Sequence, residues 1–343
     1  MKGFFQVTEA LVSPEVLRSF LDSYRLGLAS IDGHVPVWKP GVFDDRLREQ
    51  LEARCSLIEL LRVRSFLDLR MRGLVAARRN DLESSRQDFQ RAHEALASLR
   101  GSEARPLCES LYCAALAYLH YRCDEPDRAR ELVNRALDLD TDLETRLGIG
   151  ALYGHRFQLV QNLVHVEARF GNSETATRIG LAMLEQLEGG QGAGPTPHAW
   201  NPSDRERLPS ELRRALANQI VFELAAIHLR SRARDVETKC YVEHVTSCRC
   251  RREDRAVEAH AWLDFAIAAE AAGLEETLEL ATAYLQSGPG QSPSLWYCVV
   301  LQCAERLSTP DSPASRSAAS EIERDRPTWP RAPTVLRGVR RSP

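Results

Sequence analysis

The helical spacing of apolar residues constrains this fold more than any other feature of the sequence. From residue 44 to residue 187, nearly every window has apolar side chains three and four positions apart, and glycine and proline fall between these segments. No run of alternating apolar and polar residues is long enough to form a sheet. The sequence therefore predicts an all-α fold.

Shifts in composition divide the chain into five predicted parts. Residues 1–43 contain a helix-start signal at Ser13 and Pro14 and are predicted to be an N-terminal capping segment for the helical repeats at 44–187. Residues 188–209 are rich in glycine and proline, which predicts a flexible linker. Helical patterning resumes over 210–306, and the Ser-, Pro- and Arg-rich residues 307–343 are predicted to be a disordered tail.

An internal repeat lies within the predicted helical region, where three segments align without gaps. The aligned residues are Phe66, Leu69, Gly73, Asn80, Asp81, Ser85, Phe89 and Ala92, then Cys113, Leu116, Ala117, Asp124, Glu125, Ala129, Val133 and Ala136, then Leu163, Gly171, Asn172, Ala176, Gly180 and Met183. Each segment has a turn of Gly, Asn, Asp or Glu, which in the first two segments is followed by small, large and small positions; the third segment is the loosest match. Because small side chains let antiparallel helices approach closely, the alignment predicts helix hairpins.

At these residues the chain resembles the tetratricopeptide repeat (TPR) family. The resemblance covers about residues 60–190, with a weaker echo at 262–285, and implies an α-solenoid that binds protein segments in a concave groove. Equivalent positions Ser85, Ala129 and Ala176 lie 44 and 47 residues apart, whereas the family period is about 34. The helices or their connectors must therefore be longer, and unrelated α-α hairpins remain an alternative.

The resemblance also implies which side chains line the groove, because the first helix of each hairpin faces it. Carried onto this sequence, the groove positions are Arg70, Arg78, Ala114, Tyr118, Tyr121, Arg122, Gln158, Gln161, His165 and Arg169. Arg78, Arg122 and Arg169 occupy the same position in all three repeats, although the family's basic and asparagine clamp is not reproduced.

Guanidinium groups bind carboxylates bidentately, and tyrosine rings offer apolar area at low entropic cost. The expected partner is therefore an acidic segment or C-terminus of another protein. The alternative is that the three arginines only offset the dipoles of the helices that they end.

One group of residues has metal-ligand chemistry. On a helix, Cys240, His244 and Cys248 would share one stripe, and Cys250 at its end would complete four donors for zinc. The spacing matches no common zinc module, and the neighbouring arginines suit an exposed turn equally well. Zinc is thus an alternative, and we expect no cofactor.

Several other sites are excluded by the sequence. There is no Walker A loop, no dinucleotide fingerprint after a strand, no G-x-S-x-G elbow and no H-E-x-x-H pair. Asp138, Asp140 and Asp142 begin like a calcium loop, but Leu143 and Ile149 stand where glycine and a bidentate glutamate are needed. These aspartates are predicted to form an acidic loop that closes the second repeat.

Charge and hydropathy narrow the class of partner. The formal net charge of -3 and the pI near 6.3 indicate no bulk attraction to nucleic acid or to an anionic membrane. The sequence has no 18-residue apolar run and no signal-peptide pattern at its start, so we expect a cytoplasmic protein.

Together these features predict a protein- or peptide-binding scaffold or adaptor rather than an enzyme. One alternative is a regulatory module that senses a ligand or peptide. The other is a zinc-dependent maturation factor or enzyme that uses the Cys240 to Cys250 cluster.

Overall fold

The structure is a computed structural model that describes residues 12–30, 49–51, 53, 55–170, 173–188, 194–198, 200, 206, 208–231, 273–286, 288, 293–309 and 312–330. All regular structure in these residues is helical, so the all-α prediction is confirmed for them. The chain divides into two compact units: Trp38–Ile220, called the hairpin unit, and Met1–Val37 with Val221–Pro343, called the terminal unit.

The α-helices are α1 Pro14–Ser30, α2 Leu57–Arg78, α3 Leu82–Ala97, α4 Arg105–Arg122, α5 Pro126–Leu147, α6 Ala151–Phe170, α7 Ser173–Glu188, α8 Ser210–Ser231, α9 Leu274–Gln286, α10 Pro293–Ser308 and α11 Pro313–Asp325. A short 3-10 turn, Arg326–Thr328, follows α11. No helix in this described part of the chain is both long and apolar enough to span a bilayer.

Helices of the hairpin unit pack in consecutive pairs: α2 with α3, α4 with α5, and α6 with α7. Each pair also contacts the next through α3 with α4 and through α5 with α6. The first hairpin starts sharply because Ser56 caps α2 in a capping box: its side chain accepts from Glu59 N, and the Glu59 carboxylate accepts from Ser56 N.

Two of the turns within hairpins have the same backbone conformation. Asn80 and Asp124 lie in the left-handed region, with φ of 65° and 62°. The next residue in each turn, Asp81 or Glu125, donates its backbone N–H over 3.0 Å to the carbonyl five residues earlier. Asn and Asp tolerate the left-handed region better than other side chains do, which explains their presence at both turns.

Small residues allow the helices of a hairpin to approach each other. A Cβ atom on Gly73 would lie 3.0 Å from Cδ2 of Phe89, and Ser85 Oγ donates to the Gly73 carbonyl over 2.9 Å. Ala129 and Ala176, which align with Ser85, are also fully buried. A larger side chain at these positions would force the helices apart.

The terminal unit brings α1 together with helices from the other end of the chain. The helix α1 packs on α9 and α11, and α10 packs on α11. Trp329 stacks on Tyr297 with ring centroids 4.5 Å apart, and its Nε1 donates to the Tyr24 hydroxyl over 3.0 Å. The predicted capping segment at 1–43 thus contributes its described helix to the terminal unit.

The prediction of a disordered tail does not hold for residues 312–330. Ser312 caps α11, accepting a hydrogen bond from Ser315 N over 3.3 Å, and Pro313 occupies the first turn. Trp329 is fully buried. Serine and proline thus act here as helix-start residues, and one aromatic side chain beyond α11 is anchored in the core.

Candidate functional site

The arginines that the repeat alignment singled out lie in the last turns of α2, α4 and α6. Arg78 is exposed, whereas Arg122 and Arg169 are partly buried. We call these three residues with Tyr118 and Tyr121 the arginine–tyrosine surface.

Arg122 joins the second hairpin to the first. Its Nη2 donates to Oδ1 of Asn80 over 3.0 Å, and Asn80 is the left-handed residue of the first turn. Its Nη1 donates over 3.3 Å to the hydroxyl of Tyr118, one helical turn earlier. The guanidinium is therefore held in one orientation from two sides.

Arg169 joins the third hairpin to the second in the same way. Its Nη2 donates to the carboxylate of Asp124, the left-handed residue of the second turn, and its Nη1 donates to the Tyr121 carbonyl over 2.7 Å. The guanidinium carbon also lies 4.6 Å from the centre of the Tyr121 ring and 4.9 Å from that of Phe170. These contacts combine a charge-assisted hydrogen bond with cation–π attraction.

The two arginines therefore make equivalent contacts. Each reaches from the end of the first helix of its hairpin to the turn of the hairpin before it. Such contacts stabilise the stacking of hairpins whether or not a ligand is bound. They are a structural role in addition to the helix-dipole role expected from the sequence. They also fix the positions of two guanidinium groups beside the rings of Tyr118 and Tyr121, whose centroids are 6.0 Å apart.

Other predicted groove residues lie in the interior. Arg70 is only 8% exposed, because it shares the buried stripe of α2 with Phe66 and Gly73, and its Nη1 faces the Leu111 carbonyl at 3.5 Å. Gln161 is also buried, and His165 is partly buried. Arg70 and Gln161 therefore do not line an exposed groove in this structure.

The predicted zinc ligands Cys240, His244, Cys248 and Cys250 lie outside the described residues. Among the residues that are described, no group of three or more His, Cys, Asp and Glu side chains is arranged to hold a metal ion.

A buried polar network at Asp140 is the feature that the sequence analysis missed. Asp140 is fully buried on α5, and its Oδ1 accepts from Ser110 Oγ of α4 over 2.6 Å. Its Oδ2 lies 2.7 Å from Nδ1 of His155 on α6, the geometry of an imidazole N–H donating to a carboxylate. One carboxylate thus links the second hairpin to the third.

Arg156, next to His155, is a buried cation in the same region. Its Nη1 donates to Thr141 Oγ1 over 3.0 Å, and its Nε lies 3.5 Å from a carboxylate oxygen of Glu144. The ring of Trp200 covers its guanidinium, with 4.4 Å between the ring centroid and the guanidinium carbon. Buried charges with such partners contribute specific packing. Removing one partner leaves the other charge buried without compensation, which is strongly destabilising.

Trp200 and its neighbours belong to the segment 188–209 that was predicted to be a flexible linker. Two described residues of that segment contact helices of the hairpin unit: Trp200 lies against Arg156, and His198 Nε2 lies 3.0 Å from an Asp138 oxygen. Within the segment, Trp200 Nε1 donates to Thr196 Oγ1 over 2.9 Å. The tryptophan ring thus covers a buried cation.

The network does not have the geometry of a catalytic triad. In a triad the histidine lies between the nucleophile and the carboxylate, whereas here Asp140 lies between Ser110 and His155. The Ser110 hydroxyl therefore donates to the carboxylate and not to the imidazole that serves as general base in a triad. This arrangement supports packing between hairpins rather than nucleophilic chemistry.

Helical spacing is the signal that would have found Asp140. The predicted acidic loop at Asp138, Asp140 and Asp142 is instead part of α5, and among the three only Asp140 falls on the stripe of Ala136 and Leu143 that faces the core. Asp138 and Asp142 point to solvent.

The chain matches no model of a protein family, no curated protein and no solved structure.

Proposed function

We propose that the three hairpins between Leu57 and Glu188 form a TPR-like solenoid that acts as a scaffold or adaptor. The bound partner would be an acidic segment of another protein, taken up at the arginine–tyrosine surface. The observation that supports this most directly is the orientation of Arg122, whose guanidinium is held before any ligand arrives.

The donors of Arg122 are only partly used. Tyr118 and Asn80 each take one hydrogen bond from it, through Nη1 and Nη2. A guanidinium has five N–H donors, so some remain for a carboxylate. Because the side chain is already ordered, binding would cost less conformational entropy than binding to a mobile arginine.

The remaining residues of the surface supply charge and apolar area. Arg78 is exposed two residues before Asn80, so it adds a second positive charge near the turn that Arg122 contacts. The partly buried rings of Tyr118 and Tyr121 supply rigid area for the apolar parts of a peptide. Arg169 is expected to contribute less, because Asp124 already acts as its carboxylate acceptor.

The test uses an array of peptides that end in runs of Asp or Glu, together with a matched array in which these residues are Asn or Gln. We expect the full-length chain to bind a subset of the acidic peptides and none of their neutral counterparts. A charge-assisted hydrogen bond contributes about 1.5–3 kcal/mol, so Arg122→Gln should weaken binding about 10–150-fold. Arg78→Gln should have a smaller effect, since its exposed charge is screened by solvent and salt.

Arg128→Gln is the matched control, because Arg128 is exposed on α5 and forms its ion pair with Glu131 outside the surface. It should leave peptide binding unchanged. A chain that retains no acidic peptide, or an Arg122→Gln variant that binds like the wild type and only melts earlier, would leave the arginines with the structural role alone.

A further inference from the structure

The helix α2 has two apolar stripes on opposite sides. One is buried against the rest of the hairpin unit and contains Val63, Phe66, Gly73 and Ala77. The other consists of Leu57, Leu61, Arg64, Asp68, Met71, Val75 and Arg78, and we call it the outer stripe. Its apolar members are unusually accessible: Leu57 is 75% exposed, Leu61 60% and Met71 40%.

Single exposed leucines are common on protein surfaces, but several exposed apolar side chains on one helix face, here two pairs on either side of a charged centre, are typical of an interaction site. Leu57, Leu61 and Met71 are joined on this face by the partly exposed Val75, and Ile58 is 65% exposed beside them. Burial of these apolar side chains against a partner would therefore be favourable.

The spacing of the outer stripe points to a helix as that partner. Its residues follow one another at alternating intervals of four and three, which is the 3.5-residue period of the seam between two packed helices. In such a seam the middle positions are occupied here by Arg64 and Asp68, which carry opposite charges and are both exposed. The polar centre therefore decides which helix fits.

We propose that a second copy of this chain covers the outer stripe, with the two α2 helices antiparallel about a two-fold axis. In this register Leu57 lies opposite Val75 of the second copy, Leu61 lies opposite its Met71, and Arg64 lies opposite its Asp68. The two-fold axis repeats each contact, since a symmetric interface pairs residue i with j and j with i.

The charges of Arg64 and Asp68 favour the antiparallel arrangement over the alternatives. Antiparallel pairing makes two Arg64 to Asp68 contacts at the centre, with two apolar layers on either side. Parallel pairing in register would place Arg64 against Arg64 and Asp68 against Asp68, and such like-charge contacts disfavour an interface. An acidic helix from another protein would meet Asp68 in the middle of the stripe, so a second copy fits better.

This pairing goes beyond the proposed function and does not depend on it. Arg122, Tyr118 and Tyr121 lie on α4 and take no part in the proposed contacts. Arg78 belongs to both the outer stripe and the arginine–tyrosine surface, but none of the three proposed pairings uses it. A failure of peptide binding would therefore leave the pairing untouched, and the reverse also holds.

The experiment is sedimentation equilibrium of the full-length chain over a range of concentrations. We expect a species of twice the 38.5 kDa chain mass. Leu61→Glu should abolish it, because a carboxylate would be buried against Met71 of the second copy. Leu26→Glu is the control, since Leu26 is 69% exposed on α1 and lies outside the stripe, and this variant should remain dimeric.

Two charge reversals test the register itself. Arg64→Asp places two aspartates opposite each other, Asp68→Arg places two arginines opposite each other, and each variant alone should associate at least about tenfold more weakly than the wild type. An equimolar mixture of the two variants restores both opposite-charge contacts and should dimerise again. Rescue by mixing cannot arise from misfolded chains, and circular dichroism of each variant checks helix content.

A wild-type chain that stays monomeric up to about 100 μM, the weak end of specific association, would overturn the proposal. So would a dimer that survives Leu61→Glu, or two charge variants that fail to associate when mixed although both remain folded.

Discussion

Replacing Asp140 by alanine should destabilise the hairpin unit more than any change at the surface of the same helix. The carboxylate is fully buried and accepts from Ser110 over 2.6 Å while lying 2.7 Å from His155 Nδ1. The alanine variant loses both contacts and leaves a buried hydroxyl and a buried imidazole without their acceptor. Each buried polar group left without its partner costs about 1–3 kcal/mol, so the two together should cost about 2–6 kcal/mol.

The size of this loss can be measured against a control on the same helix. Asp142 is paired with Arg146 over 2.8 Å, but both side chains are 56% exposed. Water replaces such a contact easily, so Asp142→Ala should cost less than about 0.5 kcal/mol. The two variants remove the same group, two residues apart, and differ in burial.

The assay is thermal unfolding combined with hydrogen exchange of the α5 and α6 backbone amides, which reports on the hairpin unit by itself. A loss of about 2–6 kcal/mol should lower the melting temperature by roughly 4–24 °C in a unit of this size. His155→Ala in the Asp140→Ala background should cost less than His155→Ala alone, since the two residues share one contact. If Asp140→Ala loses less than about 1 kcal/mol, or matches Asp142→Ala, the network does not join the two hairpins.

Two further predictions concern other parts of the core. Trp329→Ala should destabilise the terminal unit by about 3–5 kcal/mol, because it empties a fully buried site against Tyr297. The loss can be measured as reduced protection of the α10 backbone amides from hydrogen exchange. Unchanged protection would mean that Trp329 does not anchor the segment after α11. Burial raises the pKa of Cys113 from 9.0 to about 11 and that of Cys108 to about 12. Since the unfolded thiols ionise first, their contribution to stability should be constant below about pH 9 and fall progressively between pH 9 and 12. Cys113→Ala and Cys108→Ala should flatten this fall. Urea denaturation measures it, and no decline across that range would contradict the burial of the thiols.

The spacing of apolar residues was sufficient to predict that the regular structure of the described residues is helical. Asn80 with Asp81, and Asp124 with Glu125, marked the turns correctly, because a left-handed residue favours Asn or Asp whatever surrounds it. The small residues Ser85 and Ala129 were likewise predicted to lie at close contacts, and they are buried. These features depend on local backbone preferences and on the periodicity of a single helix.

Which face of a helix is buried depended on neighbours that are distant in the chain. The periodicity of α2 is ambiguous, because it has apolar residues on both sides. Only the packing of α3 and α4 on it decides that Arg70 is interior while Leu57 and Leu61 are exposed. An arginine was therefore placed on the wrong side of its helix, and the exposed leucines were not recognised.

Composition did not indicate where a single aromatic residue packs a segment against the rest of the protein. Residues 188–209 and 307–343 have the glycine, serine and proline content of flexible chain, yet Trp200 covers Arg156 and Trp329 stacks on Tyr297. The free energy gained by burying one tryptophan outweighs the ordering cost of a few residues, and no average over a window detects it. The hydrogen bonds of Asp140 could not be predicted from the sequence either. Its carboxylate is stable in the interior because residues 30 positions earlier and 15 positions later supply its donors, and only the tertiary structure brings them together.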